Sequence, residues 1–246
     1  MSAAIAIQLY SVRNELDRDF AGTMAKIATF GVAGVEFAGC PWGLSFPQCH
    51  KIVKELGLKV PTAHFPIPIG ANRNLILDNA EMLGCRYLVT GKSPDDFKSE
   101  AAIRRLCDDF NAAAANVAER GMQLAIHNHW GEFQTVDGVP AYKIMLRYLD
   151  PQVKFELDTY WIMVGGQNPA AVVAELADRA PLLHIKDGSG IPGNFNMVAV
   201  GTGKMDFPPI FARAKKAEWL IVELDSCETD MLTAIRESCE YIGKHQ

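Results

Sequence analysis

The chain has 246 residues, 49% hydrophobic and 22% charged, the balance of a globular protein rather than a disordered one. Its net charge of −5 argues against a phosphate-backbone partner, so nucleic acid is not expected. No apolar run reaches the roughly 18 residues that cross a bilayer, and MSAAIAIQLY lacks the basic start and long apolar core of a secretory signal, so no membrane partner is expected and the expected location is the cytoplasm. AIAIQLY (4–10) is the first strand, followed by the helix FAGTMAKIATFG (20–31), which closes on Gly31. GVEFAG (34–39) leads into FPQCHKIVKELG (46–57), closed by Gly57 in the same way. LKVPTAHF (58–65) precedes NLILDNAEMLG (74–84), and YLVTG (87–91) precedes KSEAAIRRLCDDFNAAAANVAERG (98–121). QLAIHNH (123–129) pairs with PAYKIMLRYL (140–149), and VKFELD (153–158) with PAAVVAELADR (169–179). LLHIKDG (182–188) with FPPIFARAKKA (207–217), and WLIVELD (219–225) with TDMLTAIRESCEYIG (229–243), complete eight strand–helix units. Within GGQNP (165–169), Asn168 is placed as an N-cap and Pro169 as the first helical residue.

Strands that alternate with helices form a parallel sheet, and strands buried on both faces stay apolar until their C-terminal ends. Eight such units in about 250 residues is the size of a closed (β/α)8 TIM barrel. The expectation is therefore one α/β barrel domain spanning residues 1–246. An open doubly wound sheet would carry a glycine-rich phosphate loop after its first strand, and QLYSVRNELD has no glycine. The six cysteines (Cys40, Cys49, Cys85, Cys107, Cys227 and Cys239) form no C-x-x-C pair and read as small buried thiols.

Polar residues gather at the strand ends, which in a parallel barrel converge on one rim. They are Gln8 and Tyr10, Glu36, His64, His127 and His129, Glu156 and Asp158, His184 with Lys186 and Asp187, and Glu223 with Asp225. Glu156, Asp187 and Asp225 read equally well as rim ion pairs. Period-2 alternation places Asp158, His184 and Glu223 on the inner faces of strands 6, 7 and 8. Two carboxylates and an imidazole suit one divalent cation, Mn²⁺, Co²⁺, Mg²⁺ or Zn²⁺. Lys186 shares the face of His184 and is assigned to electrostatic stabilisation of a reacting oxyanion, with a salt bridge to Asp187 or Glu156 as the structural alternative. Gln8, Tyr10, Glu36 and His64 suit hydroxyl recognition, although Glu36 reads also as a buried charge paired to Arg13. Trp161 and Phe65 could stack on a sugar face, and Trp42 and Trp130 could cap the pocket from loops.

QLYSVR, GVEFAG, HNHWGEF, ELDTYW, HIKDG and VELD, in this order, resemble the sugar phosphate isomerase/epimerase superfamily. This is the xylose isomerase-like barrel group, which also holds endonuclease IV, hydroxypyruvate isomerase, ketose 3-epimerases and inosose dehydratase. VGTGKMDF (200–207) resembles the loop before a late helix in that group. The resemblance implies a small carbohydrate substrate and one divalent metal held by Glu, Asp, His and Glu from strands 5 to 8. Asp158, His184 and Glu223 match three of these ligands. The first glutamate is replaced by His127, and the nearest carboxylate is Glu132, five residues on. Glu132 is preferred as the fourth ligand; His127 and His129 are the alternatives, and His129 is otherwise a pocket residue.

The resemblance also implies enediolate chemistry. With Glu132 on the metal, His127 is left as a base able to take a proton beside a polarised carbonyl, with Lys186 and Glu223 completing the catalytic set. Reprotonation gives isomerisation or epimerisation, whereas loss of a β-oxygen makes the enzyme a lyase or dehydratase of a keto sugar or inosose. Barrels of this group often pair through helix faces, and a homo-oligomer is left open.

Overall fold

The eight β-rich runs all become strands in the computed structural model, which describes residues 2–39, 43–191, 193 and 196–246. Cys40 and Trp42 lie outside the described residues. The strands are β1 (Ala4–Gln8), β2 (Gly34–Ala38), β3 (Thr62–His64), β4 (Tyr87–Gly91), β5 (Gln123–His127), β6 (Lys154–Asp158), β7 (Leu182–Ile185) and β8 (Trp219–Val222). Neighbours pair in parallel in sequential order, and β8 returns to β1 with Ala4 opposite Trp219, so the sheet is a closed barrel surrounded by helices. Among the described residues no helix is long and apolar enough to cross a membrane.

Several strands stop short of the expected ends, each for a local reason. β3 starts at Thr62 rather than residue 58, because Pro61 has no N–H to give to a ladder. β5 stops at His127 because the Asn128 side chain takes over the pairing. Its Oδ1 accepts the Asp158 N–H at 3.0 Å and its Nδ2 donates to the Asp158 carbonyl at 3.2 Å. β6 ends at Asp158 as expected, and that residue caps an unexpected helix, Thr159–Val164, by accepting the Trp161 N–H. The helix at Pro169–Glu175 starts as read, with Asn168 accepting the Ala171 N–H. Gly31 and Gly57 lie at φ of +76° and +75°, the left-handed conformation that ends the helices before them.

Alternate residues of each strand fill the barrel. Near its base Ala6, Tyr87, Val89, Ala125, Leu182 and Ile221 form an apolar layer. One strand step nearer the rim, on the same faces, come Gln8, His127, His184 and Glu223. On these four strands the sequence thus switches from apolar to polar within two residues.

After β7 the chain leaves the barrel as a two-residue ribbon, Asp187–Gly188 against Met197–Val198. Asp187 is neither a site residue nor a partner of Lys186. Its carboxylate accepts backbone N–H groups from Gly188 (2.8 Å), Met205 (3.1 Å), Gly201 (3.0 Å) and Gly203 (2.8 Å). A Cβ on Gly203 would come within 2.2 Å of that carboxylate, which explains the second glycine of VGTGK. Asp187→Ala strands these donors and is expected to cost about 2–3 kcal/mol in urea denaturation. An unchanged midpoint would show that the loop is held by something else.

Candidate metal centre and active site

Four side chains from four consecutive strands meet at the rim end of the barrel. His127, Asp158, His184 and Glu223 each offer one ligand atom, and these atoms lie within 4.8 Å of one another. His184 Nδ1 is 2.8 Å from Glu223 Oε2 and 4.0 Å from Asp158 Oδ2. Asp158 and His184 have no exposed surface, and His127 and Glu223 are only 4% and 6% exposed. The helix cap fixes Asp158: Oδ1 holds the Trp161 N–H, leaving Oδ2 for the site.

Lys186 is buried against the same carboxylates. Its Nζ lies 3.0 Å from Asp158 Oδ2, 2.6 Å from Glu223 Oε2 and 3.0 Å from Asp225 Oδ2. Burial alone would lower its pKa, but these three carboxylates raise it well above the usual lysine value, so the group is an ammonium ion. Burial would likewise raise Glu223, yet Lys186 and His184 hold it ionised, below the usual carboxylate range. Burial dominates at Asp158 and pushes its carboxyl up to about 6, although Lys186 and His184 pull the other way.

One layer deeper, Glu36 and Glu156 are fully buried. Glu36 takes a hydrogen bond from Gln8 and sits 2.8 Å from His184 Nε2 and 3.1 Å from His64 Nε2. The expected pairing with Arg13 is absent: that guanidinium donates to the Tyr10 and Asp225 carbonyls instead. Burial alone would lower the His64 pKa, but the carboxylates of Glu36 and Glu156 raise it to about 10.

The HNHWGEF stretch does not place its residues as the sequence suggests. His127 points into the barrel, with Nδ1 3.1 Å from Glu156 Oε2. Burial, helped by the neighbouring His184, His64 and Lys186 charges, keeps it neutral, well below the usual histidine range. Glu132 is not gathered with the other ligand candidates. It sits in the one-turn helix Gly131–Phe133 and folds back to accept the His129 N–H at 3.1 Å. Gly131 permits that turn by close approach: a Cβ there would lie 2.4 Å from Pro94 Cα.

Above these groups opens a cavity of about 660 Å³. Gln8, His64, His127, His129, Lys186 and Glu223 all line it, with Tyr10, Phe65, Lys92, Trp130 and Asp225 around the mouth. Two expected substrate contacts are not among the lining residues. Glu36 lies behind His64 and His184, and Trp161 is 4% exposed, packed on Trp130 (ring centroids 5.1 Å apart) and under Lys186. Asn128 is the residue whose part in the site was not legible; Asp225 makes the rim ion pair read for it, with Lys186, and Glu156 pairs with histidines rather than with Lys186. The signal for Glu156 was its period-2 spacing from Asp158.

A family model described as the xylose isomerase-like TIM barrel matches residues 24–245. The chain belongs to that family. An inosose dehydratase of Geobacillus kaustophilus is 24% identical over 265 residues, spanning 96% of this chain and 84% of that protein. A sugar phosphate isomerase/epimerase structure from Parabacteroides distasonis superposes with a TM-score of 0.83 at 25% identity, covering 96% of each chain. The IOLI protein, solved with a zinc atom bound, superposes at 0.76 with 13% identity over 99% of both chains, which shows the shared fold.

The xylose isomerase-like barrel of this chain fits a divalent ion on its own chemistry. Ligands at about 2.1 Å on opposite sides of an ion stand about 4.2 Å apart, comparable with the 4.0 Å between His184 Nδ1 and Asp158 Oδ2 in a set whose ligand atoms all lie within 4.8 Å of one another. Two carboxylates and two imidazoles form a mixed set that Mn²⁺, Co²⁺ and Zn²⁺ accept. The protons now on the site make a prediction. Burial alone would lower the His184 pKa, but Glu156, Glu36 and Glu223 raise it well above the usual value, so the ring is protonated at neutral pH. An ion taking Nδ1 must expel that proton, so affinity rises with pH until the raised pKa is passed. Calorimetry in two buffers of different ionisation heat should show about one proton released per ion at pH 7. Identical heats in both buffers would contradict it.

Proposed function

We propose that this protein is a divalent-cation-dependent enzyme that isomerises or epimerises a small sugar, sugar phosphate or keto acid through an enediolate. The observation that carries this reading is the meeting of His127, Asp158, His184 and Glu223 beside the Lys186 ammonium, with His127, Glu223 and Lys186 lining a 660 Å³ cavity. These four residues would hold the ion, with His127 in place of the expected Glu132. The zinc in the IOLI structure supports a cation in a barrel of this shape. A bound ion would act as a Lewis acid on a substrate carbonyl.

The chain's own groups then supply the proton chemistry. Glu223 is ionised and lines the cavity, placed to take the proton beside the carbonyl. Lys186 carries fixed positive charge to stabilise negative charge developing on oxygen, an arrangement preorganised by three carboxylates. Burial and Lys186 hold His129 neutral, with its pKa lowered to about 4, so it can exchange hydrogen bonds with substrate hydroxyls. Gln8 and His64 face the same space.

A second reading is β-elimination from a keto sugar or inosose. One observation favours it: the set holds one glutamate, Glu223, because His127 stands at the strand-5 position where the resemblance implies the first glutamate of the epimerases. The inosose dehydratase relative points the same way. Metal analysis combined with deuterium wash-in on ketoses, hydroxypyruvate and inososes tests both. Solvent deuterium in recovered or isomerised sugar supports the first reading, and a new enone supports the second. Neither exchange nor bound metal would sink both.

A further inference from the structure

Beneath the rim set, three histidines from β3, β5 and β7 turn ring nitrogens toward one atom. Glu156 Oε2 lies 2.7 Å from His64 Nε2, 3.1 Å from His127 Nδ1 and 3.2 Å from His184 Nε2. Ligand atoms of these four residues lie within 4.8 Å of one another. Glu156 is fully buried, and its other oxygen, Oε1, has no hydrogen-bond partner. Glu36 shows the same asymmetry: Oε1 faces His184 and His64, while the buried Oε2 has none.

Hydrogen bonding accounts poorly for this. A carboxylate spreads its lone pairs over two oxygens, so two hydrogen-bonded rings and a third ring nitrogen at 3.2 Å on one oxygen, with none on the other, wastes half its capacity. It also requires all three rings to be protonated at the inward nitrogen. A cation among the nitrogens and Oε2 lets all four atoms act as donors of electron pairs. Three imidazoles and one carboxylate form a four-coordinate set of the type that zinc prefers over harder ions.

We infer that His64, His127, His184 and Glu156 form a second, imidazole-rich cation site of zinc type, beneath the carboxylate-rich site at the rim. The inference rests on the reading that the barrel binds a divalent cation. The two sites share His127 and His184; His184 would offer Nδ1 to the rim set and Nε2 to the inner set, and a neutral imidazole has one free lone pair, so one ion occupies one site at a time. Manganese, the harder ion, takes the rim set with Asp158 and Glu223, and zinc takes the inner set. His64 lines the cavity with a side chain 25% exposed, which gives the inner site an entry path.

Two residues separate the sites, since His64 belongs only to the inner set and Asp158 only to the rim set. Zn²⁺ affinity is measured on the metal-stripped full chain against a chromophoric chelator, and Mn²⁺ affinity by the paramagnetic resonance of the free ion. His64→Ala is expected to weaken Zn²⁺ at least about tenfold and leave Mn²⁺ within about twofold, and Asp158→Asn to do the reverse. X-ray absorption on the unmutated zinc protein, which needs no variant to fold, is expected to show three imidazoles around the ion. A shell with fewer than three imidazoles, or loss of both ions in Asp158→Asn alone, overturns the inner site and leaves the rim site standing. Failure of the unmutated chain to bind either ion would sink the proposed function as well.

Discussion

Asp158→Asn is expected to abolish Mn²⁺ binding and turnover while leaving the fold intact. The two oxygens of Asp158 do different work. Oδ1 accepts the Trp161 N–H and caps the helix Thr159–Val164, and Oδ2 faces the site. Asparagine is as good an N-cap as aspartate, so its carbonyl oxygen keeps the cap. The backbone is held independently by the Asn128 side chain, which the substitution does not touch. What changes is the atom toward the site: an amide NH₂ replaces a carboxylate oxygen and now faces the Lys186 ammonium. Partners that merely orient a ligand cost roughly 10–100-fold in metal affinity, and removing a direct ligand should exceed about 100-fold. Titration of Mn²⁺ with circular dichroism on the same sample checks both halves. A variant that binds Mn²⁺ as tightly as the parent would remove Asp158 from the site. Glu132→Gln belongs in the same series, and an affinity within about threefold of the parent is expected, because that carboxylate is turned to the His129 N–H.

That contrast marks where sequence reasoning reached its limit. The alternation of apolar strands and helices made the barrel legible, because burial on both faces imposes the pattern locally. The inner-face residues Asp158, His184 and Glu223 were legible for a related reason: period-2 alternation fixes which way a strand residue points. Choosing between His127 and Glu132 required something else. His127 is the last residue of β5, so its direction follows from the strand. Glu132 lies in a one-turn helix whose orientation depends on Gly131 packing against Pro94, a contact between loops that no periodicity announces. The paired strand ends also hid the clamp at Asn128. Its two hydrogen bonds to the Asp158 backbone appear only once β5 and β6 are adjacent. Glu156 could be placed inside the barrel, but its three histidine neighbours come from strands up to 92 residues away in the chain.

Lys186→Met is expected to destabilise the cation-free protein by about 3–5 kcal/mol, the usual result of leaving buried charge without its partner. The ammonium is 1% exposed and touches Asp158, Glu223 and Asp225, so its removal leaves three carboxylates facing one another. The pH dependence follows from the direction of the shift. The folded pKa of Lys186 is raised, so its contribution is fully present below the ordinary lysine value and is lost only as strongly alkaline pH passes the raised one. Between pH 6 and 9 the parent therefore keeps the full effect. In the variant the crowded carboxylates relieve repulsion by taking up protons, so the deficit should shrink as pH falls toward 5. A divalent ion can stand in for the missing charge in a way methionine cannot. Saturating Mn²⁺ should raise the denaturation midpoint of Lys186→Met more than that of the parent, since ligand stabilisation grows with affinity for the folded state. Turnover should not recover with it, because stabilisation of developing negative charge by a fixed donor is worth roughly 10²–10³ in rate. Urea denaturation at pH 5 and pH 8, with and without Mn²⁺, separates these effects. A deficit under about 1 kcal/mol, unmoved by the ion, would mean that Lys186 is not the counter-charge of the site.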